Sequence, residues 1–345
     1  MLRNGTDGEL AMTIYDIARE TGVSIATVSR AINNKGYVSQ ATRDKIEAVL
    51  ARSNYQPSAI ARGLATGSMK TVAILVVDVR VPHYAMTTYI MEGLLSRAGY
   101  SVLVCNTDTD IGKTTGYLRM LGERGVDGII LVGSIYRDLC TEDALQAVRK
   151  TPIVLANGVL DRENAHTVFV DEGYGIELAV RHMIATGHRH LAYVADRETG
   201  ASERKQKGFC KALRAVGEKN PRRHIFHTAY GMDGGSAAAA RICDALYDEA
   251  NGIPYDGVVC GEDLTAVGVL YALLARGLHV PEEIAVSGCN NSEYAYVCNP
   301  RLTTINNKGE ELSRLTVEVL IELLTEGKVR KERKIKPELI VQDTA

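Results

Sequence analysis

Ile25, Ala26 and Arg30 stand at the start of one short helical stretch and one turn along it, and their side chains are of types that read the edge of a base pair. An arginine can donate two parallel hydrogen bonds to a guanine edge, while isoleucine and alanine offer apolar contact to a thymine methyl. Ser24, Thr27 and Ser29, with the free N–H groups of the helix start, suit phosphate oxygens. The same spacing also fits a plain helical hairpin with a solvated face. By itself the stretch points to double-stranded DNA without deciding for it.

Other groups invite chemistry and fail a spacing test. Gly112-Lys113-Thr114 follows an apolar run and opens a helical pattern, as a phosphate-binding loop would, but Thr107 stands where the upstream glycine is needed and Asp108 and Asp110 would repel phosphate. Seven cysteines (Cys105, Cys140, Cys210, Cys243, Cys260, Cys289, Cys298) are scattered without a C-x-x-C pair, which predicts buried thiols and argues against a disulfide framework or a zinc site. His188/His190 and His224/His227 lack a carboxylate or cysteine at metal spacing and read as strand-edge residues. No G-x-G-x-x-G follows the first strand, and G-x-S-x-G and H-E-x-x-H do not occur. No catalytic residues, no metal and no cofactor are expected.

These side chains need elements to hold them. Thr13 is a good N-cap, and Ile14, Ile17 and Ala18 share the helical face that follows it. Gly22-Val23-Ser24 breaks the pattern; Ser24 can cap a second helix over 25–33, and Ser39 a third over 40–52 with Ile46, Val49 and Leu50 on one face. Two short helices, a glycine turn and a supporting third helix make a small all-α helix-turn-helix head over 13–54. A hinge over 55–70 follows, in which Pro57 suits a helix start and Gly67 an end. Two turns of helix are too short to be stable alone in water, so residues 57–65 are predicted to be disordered in the free protein and to fold on a partner surface.

From Thr71 onward, short apolar runs alternate with amphipathic helices. The runs are 72–77, 101–105, 128–132, 153–155, 191–194, 257–260 and 284–287, and in the first helix Met86, Ile90, Gly93 and Leu94 mark the expected core face. Such repetition predicts an α/β body of doubly wound parallel sheets over 71–345, long enough for two lobes with a cleft between them. With 46% hydrophobic and 24% charged residues, no run of 18 apolar residues and no basic-apolar start, the chain is expected to be cytoplasmic, away from membranes. Residues 1–70 hold nine Lys/Arg against six Asp/Glu, and the remainder 31 against 36, so a polyanion partner is suggested for the first segment only.

Thr13-Ile14-Tyr15-Asp16-Ile17-Ala18, Gly22-Val23-Ser24, Ala26-Thr27-Val28-Ser29-Arg30, Tyr55-x-Pro57 and Ala61-Arg62-Gly63-Leu64-Ala65 resemble the DNA-binding head and hinge of the lactose-repressor family of bacterial regulators. The resemblance continues in order through Val126-Asp127-Gly128, Gly187-His188-Arg189-His190, Gly208-Phe209, Asp263-Leu264-Thr265-Ala266, Val280-Pro281-Glu282 and Pro300-Arg301-Leu302-Thr303-Thr304-Ile305. It implies a homodimer whose heads read the half-sites of a pseudo-palindromic operator, with DNA contacts from Thr13, Tyr15, Ser24, Ile25, Ala26, Thr27, Ser29, Arg30, Asn33, Ser58 and Ala59, and Leu64 as an apolar wedge in the minor groove. It implies a body like a periplasmic sugar-binding protein, with crossings near Gly187, Asn306 and Arg330: lobe 1 over about 71–187 and 306–330, lobe 2 over about 188–305 and 331–345. No heptad-bearing tail follows Ile340, so a dimer without tail-mediated tetramers is expected.

The resemblance also implies a small-molecule effector between the lobes, touched by Asp78, His83, Tyr84, Asp171, Lys205, Tyr230, Asp263 and Asn290. Lys205 stands where arginine is common in the family and Asn290 where aspartate is. The exchange removes a carboxylate while keeping a cation, which shifts the expected effector from a neutral sugar toward a sugar phosphate or another anionic metabolite. Two rivals share the body: a soluble sugar-binding transport protein, which needs export and no basic head, and a regulator whose cleft no longer binds a small molecule.

Overall fold

The computed structural model describes residues 12–32, 36–53, 67–247, 255–327 and 329–345. The chain forms two units that part at Met69/Lys70. The expected hinge helix, with Ser58, Ala59 and Leu64, and Asn33 of the head lie outside the described residues.

The head consists of α1 (Ile14–Thr21), α2 (Ile25–Ile32) and α3 (Gln40–Arg52). Thr13 and Asp16 form a reciprocal capping box at the start of α1: each side chain accepts from the other's backbone N–H, so two otherwise orphaned donors are satisfied. Gly22 ends α1 at φ +70°, a left-handed conformation that glycine takes without Cβ strain. Ser24 Oγ accepts from Thr27 N at 3.2 Å and Ser39 Oγ from Thr42 N at 3.3 Å, capping α2 and α3. Ile17, Ala18, Val28, Ala31, Ile46 and Val49 close a small core, and Arg43 ties α3 to the Ala31 carbonyl at 3.1 Å.

The body contains two six-stranded sheets. The first comprises β1 (Thr71–Val76), β2 (Ser101–Asn106), β3 (Gly128–Val132), β4 (Ile153–Ala156), β5 (Ala165–Val170) and β11 (Glu332–Ile335), ordered β11-β5-β4-β3-β1-β2. The second comprises β6 (Leu191–Ala195), β7 (Ile225–His227), β8 (Gly257–Cys260), β9 (Ala285–Cys289), β10 (Thr303–Asn306) and β12 (Glu338–Ile340), ordered β12-β10-β9-β8-β6-β7. Every pairing is parallel except β10 with β12. Each sheet is buried on both faces, so its central strands are mostly apolar, with Ser287, Thr303 and Thr304 as buried polar exceptions in the second sheet.

The helices that flank the first sheet are α4 (Pro82–Arg97), α5 (Ile111–Arg124), α6 (Tyr136–Leu139) and α7 (Glu142–Ala147), with α13 (Gly309–Thr325) returning to it late in the chain. Those of the second lobe are α8 (Glu172–Ala185), α9 (Gly200–Ala215), a 3-10 turn (Pro221–His224), α10 (Met232–Tyr247), α11 (Asp263–Leu274) and α12 (Tyr294–Val297).

Two of the expected crossings move. Ile176, Val180 and Met183 of α8 pack with Tyr193 and Phe209, so the chain crosses at Asp171, a whole helix before Gly187. β11 pairs with β5, so the last crossing falls at Lys336-Pro337 and not at Arg330. Both differences arise because a helix or short strand joins whichever sheet its apolar face covers, and sequence adjacency does not fix that choice. The core face of α4 also differs. Thr87, Thr88, Met91 and Leu95 are buried, while Met86 is 58% exposed. Leu94 and Leu95, like Ile90 and Met91, are adjacent apolar residues, so two registers fit the helical period and the sheet selects between them.

All seven cysteines are free, and six are buried. Among the described residues no group of His, Cys, Asp and Glu could hold a metal ion, and no helix is long and apolar enough to cross a membrane.

Candidate nucleic-acid interface and ligand cleft

In the head, packing Val28 and Ala31 inward turns the other side of α2 out. Ile25 is 42% exposed, and Ala26 and Arg30 are exposed beside it. Tyr15 is 69% exposed and Thr13 is exposed at the start of α1. Ser24 and Thr27 share a hydrogen bond at 2.9 Å at the N-terminus of α2, where unpaired N–H groups and the helix dipole attract anions. The fold thus brings two sets of side chains to the solvent side of the head: apolar and guanidinium groups on α2, and hydroxyls at the helix starts.

The body holds a cavity of about 290 Å³ between its lobes. Its walls come from residues just past the C-terminal ends of parallel strands: Gly133 and Ser134 after β3, Asn157 after β4, Glu172 after β5, Asp196 and Arg197 after β6, Gly261 and Glu262 after β8, and Asn290 after β9. That is the position where doubly wound sheets leave a crevice. Across it, Ser134 Oγ accepts from Ala201 N at 3.0 Å, joining the lobes at the start of α9.

Of the eight residues expected here, His83, Tyr84, Lys205 and Asn290 line the cavity. Asp78, Asp171, Tyr230 and Asp263 do not. Asp78 is held by Arg80 at 2.8 Å, a pairing that lowers its pKa. Asp171 caps α8 through Tyr174 N and pairs with Lys334 at 2.6 Å. Tyr230 lies under the Arg197 guanidinium, 4.0 Å from ring centre, so Arg197 reaches the cleft in its place. Asp263 is only 1% exposed, and its oxygens accept from Thr304 Oγ1 at 2.5 Å and from Ser292 N and Oγ at 2.7 and 2.8 Å. It fixes the loop after β9.

Lys205, expected to partner an anion, is already engaged by groups of the protein itself. Lys205 is 4% exposed; its ammonium donates to the Gly261 carbonyl at 2.8 Å and lies 3.5 Å from Glu262 and 3.7 Å from Glu172. Burial works against its charge, but the Cys289 sulfur, Glu262 and Glu172 around it raise its pKa. Asn290 donates to Glu262 Oε2 and accepts from Asn307 at 2.7 Å. Thus Glu262 returns the negative charge that Asn290 lacks, and the amide itself is spent on internal bonds.

His83 and Tyr84 in the cleft are neutral near pH 7. Burial, with Lys205 and Arg197 adding to it, pushes His83 down to about 3, and burial lifts Tyr84 to about 12. Asp196 is raised to about 6 by burial and by neighbouring Glu262. Tyr193 Oη, Arg197 Nε and Asn307 Oδ1 are buried on the cavity wall without a hydrogen-bond partner. Glu172, Asp196, Arg197 and Glu262 were not anticipated from sequence. Their signal was available: each is among the first polar residues after an apolar run.

Residues 13–58 match the model of the bacterial regulatory proteins of the lacI family, and residues 180–345 that of a periplasmic binding protein-like domain. The chain is 31% identical over 336 residues to an HTH-type transcriptional regulator of Lachnoclostridium phytofermentans, covering 96% of this chain and 99% of the relative. It is 31% identical over 337 residues to the HTH-type transcriptional repressor PurR of Glaesserella parasuis, covering 95% and 94%. The structure of a transcriptional regulator CelR–cellobiose complex superposes with a TM-score of 0.70 at 25% identity over 97% of this chain and 100% of the other. The lac repressor dimer bound to operator and the anti-inducer ONPF superposes with a TM-score of 0.79 at 21% identity, covering 97% and 99%, which shows a shared fold.

Proposed function

The chain belongs to the lacI family of bacterial regulatory proteins and is a DNA-binding transcriptional regulator with an effector-binding body; from that premise, we propose how its residues divide the work. In the head, Ile25, Ala26 and Arg30 read base edges, while Thr13, Tyr15, Ser24, Thr27 and Ser29 hold phosphates and set the register. Two copies read a pseudo-palindrome, as the lac repressor dimer sits on its operator.

In the body, we infer an uncharged polyhydroxy effector. The carrying observation is the convergence of Tyr193 Oη, Arg197 Nε and Asn307 Oδ1, buried and unpartnered, on one cavity. Buried polar groups are nearly always paired, so a wall with several orphans is built for a ligand that supplies the missing bonds. The ligand's charge follows from what is already spent. Lys205 is neutralised by Glu262 and Glu172, and Arg204 holds Glu172 at 2.9 Å; Arg197 is left on the wall, but Glu172, Asp196, Glu198 and Glu262 line it too, so the cavity carries no excess of positive charge to draw an anion. A volume near 290 Å³ suits a sugar-sized molecule, and the CelR complex holds cellobiose in the same fold.

Calorimetry of the full chain against neutral mono- and disaccharides and their phosphorylated counterparts tests this reading. A neutral sugar is expected to bind with a micromolar Kd, and Tyr193→Phe to weaken it about tenfold, the worth of one lost hydrogen bond to a buried group. Tighter binding of a phosphorylated counterpart would overturn the charge argument.

A further inference from the structure

α9 presents two sides with different surroundings. At about 100° per residue, Glu203, Lys207, Cys210 and Arg214 fall on the side away from Lys205 and the cleft. With Arg222 of the 3-10 turn and Ile225 of β7 they line a second groove, of about 350 Å³. Residues 203–223 carry eight Lys/Arg against two Asp/Glu, in a chain of formal charge -2.

Ion pairs account for four of those cations: Arg204 with Glu172, Lys205 with Glu172 and Glu262, Lys211 with Glu177, and Arg223 with Glu218. Lys207, Arg214 and Arg222 are exposed, line the groove, and make no ion pair or side-chain hydrogen bond among the described residues. Lys219 is the fourth cation outside those pairs and does not line the groove, whereas Lys207, Arg214 and Arg222 converge on it. Glu203 at its edge offsets one of those charges.

Like charges gathered around one concavity repel each other, and an anion entering it relieves that repulsion while gaining its own attraction. Two of the three are arginines, whose planar forks match phosphate oxygens in pairs. Both guanidinium groups lie close to Cys210 at the groove's base: burial raises that thiol's pKa, and the fields of Arg214 and Arg222 act against the rise. A groove of this size takes a compact molecule and not a long polyanion.

We propose that the groove between α9 and the 3-10 turn is a second ligand site, separate from the effector cleft, for a small multivalent anion of the phosphate class.

Calorimetry of the full chain at about 0.15 M salt, with inorganic pyrophosphate as probe and sulfate at matched ionic strength as control, decides it. One pyrophosphate per chain is expected to bind at least about tenfold more tightly than sulfate, and Arg214→Gln with Arg222→Gln to weaken it by about tenfold or more. Lys211→Gln, which removes a paired cation nearby, should leave pyrophosphate affinity within about twofold, as should Tyr193→Phe in the cleft. All four positions can be checked for intact folding by thermal melting. Pyrophosphate binding no tighter than sulfate, binding indifferent to the arginine pair, or a loss with Tyr193→Phe as large as with the arginines would each overturn the site. Because Tyr193→Phe tests the cleft and the arginine pair tests the groove, either assignment can fail alone.

Discussion

At the scale of single residues, Arg30 separates reading from holding. Its side chain lies on the exposed side of α2 beside Gly36, with Cδ 3.5 Å from where a Cβ there would stand, an ordinary van der Waals distance. Arg30→Ala is expected to remove about 1 to 3 kcal/mol of discrimination at one base pair per half-site, with little change on random duplex, because a base-edge contact carries sequence information and a phosphate contact does not. Anisotropy titrations on a site selected from a random pool and on a scrambled duplex measure both; equal losses on the two would move Arg30 to the phosphates. Arg30 was legible in the sequence because exposure on an isolated helix follows from period alone. The cleft was less so. Asp78, Asp171 and Asp263 have the right chemistry and sit near strand ends, but Arg80, Lys334 and the Ser292–Thr304 pair claim them first. Partners that arrive from 29 or more positions away, as for Asp263, cannot be read from local spacing.

At the scale of elements, two contacts decide whether helices stand where the sites need them. The α1 capping box holds Asp16 below its usual pKa chiefly through the Thr13 hydroxyl, then through the Thr13 N–H. Thr13→Ala removes the hydroxyl, and a cost of about 1 kcal/mol in head stability is expected by chemical denaturation; an unchanged midpoint for the head transition would show that the cap is dispensable. In the body, α8 and α9 approach so closely that a methyl at Gly208 would lie 2.1 Å from the Gly173 carbonyl oxygen. Gly208→Ala must push α9 away from α8, and with it Lys205 from the Glu172 and Glu262 carboxylates. Destabilisation by at least about 2 kcal/mol is expected, as for overpacking against rigid backbone, together with weaker effector binding. A variant with native stability and affinity would contradict the close approach. This glycine was visible in the sequence, but its partner was not: the α8–α9 crossing exists only because α8 joins the second lobe, which the apolar runs alone did not reveal.

At the scale of the whole molecule, burying carboxyl groups makes stability depend on pH in a direction opposite to that of surface ion pairs. Asp263 is raised to about 7 by burial, against the opposing effect of hydrogen bonds from Thr304 and Ser292, and it joins α11, the loop after β9 and β10 in one cluster. Its ordinary value is 3.8, so between that pH and about 7 the folded chain holds a proton that the unfolded chain has released. The contribution is therefore full in acid and is lost as pH rises to about 7, on the order of 4 kcal/mol over the whole interval. Asp196, raised to about 6, acts in the same direction over a narrower range. The body is expected to lose stability from pH 5 to pH 8. Asp263→Asn keeps the side chain's shape and can donate to Thr304 Oγ1, which already accepts from Asn291 N at 3.2 Å. The variant should gain on the parent by a growing margin from pH 5 to pH 8, retaining only the shallower slope due to Asp196. Urea midpoints of parent and variant across that range measure the difference between slopes; parallel curves would mean that Asp263 stays ionised in the fold and that its three donors outweigh its burial.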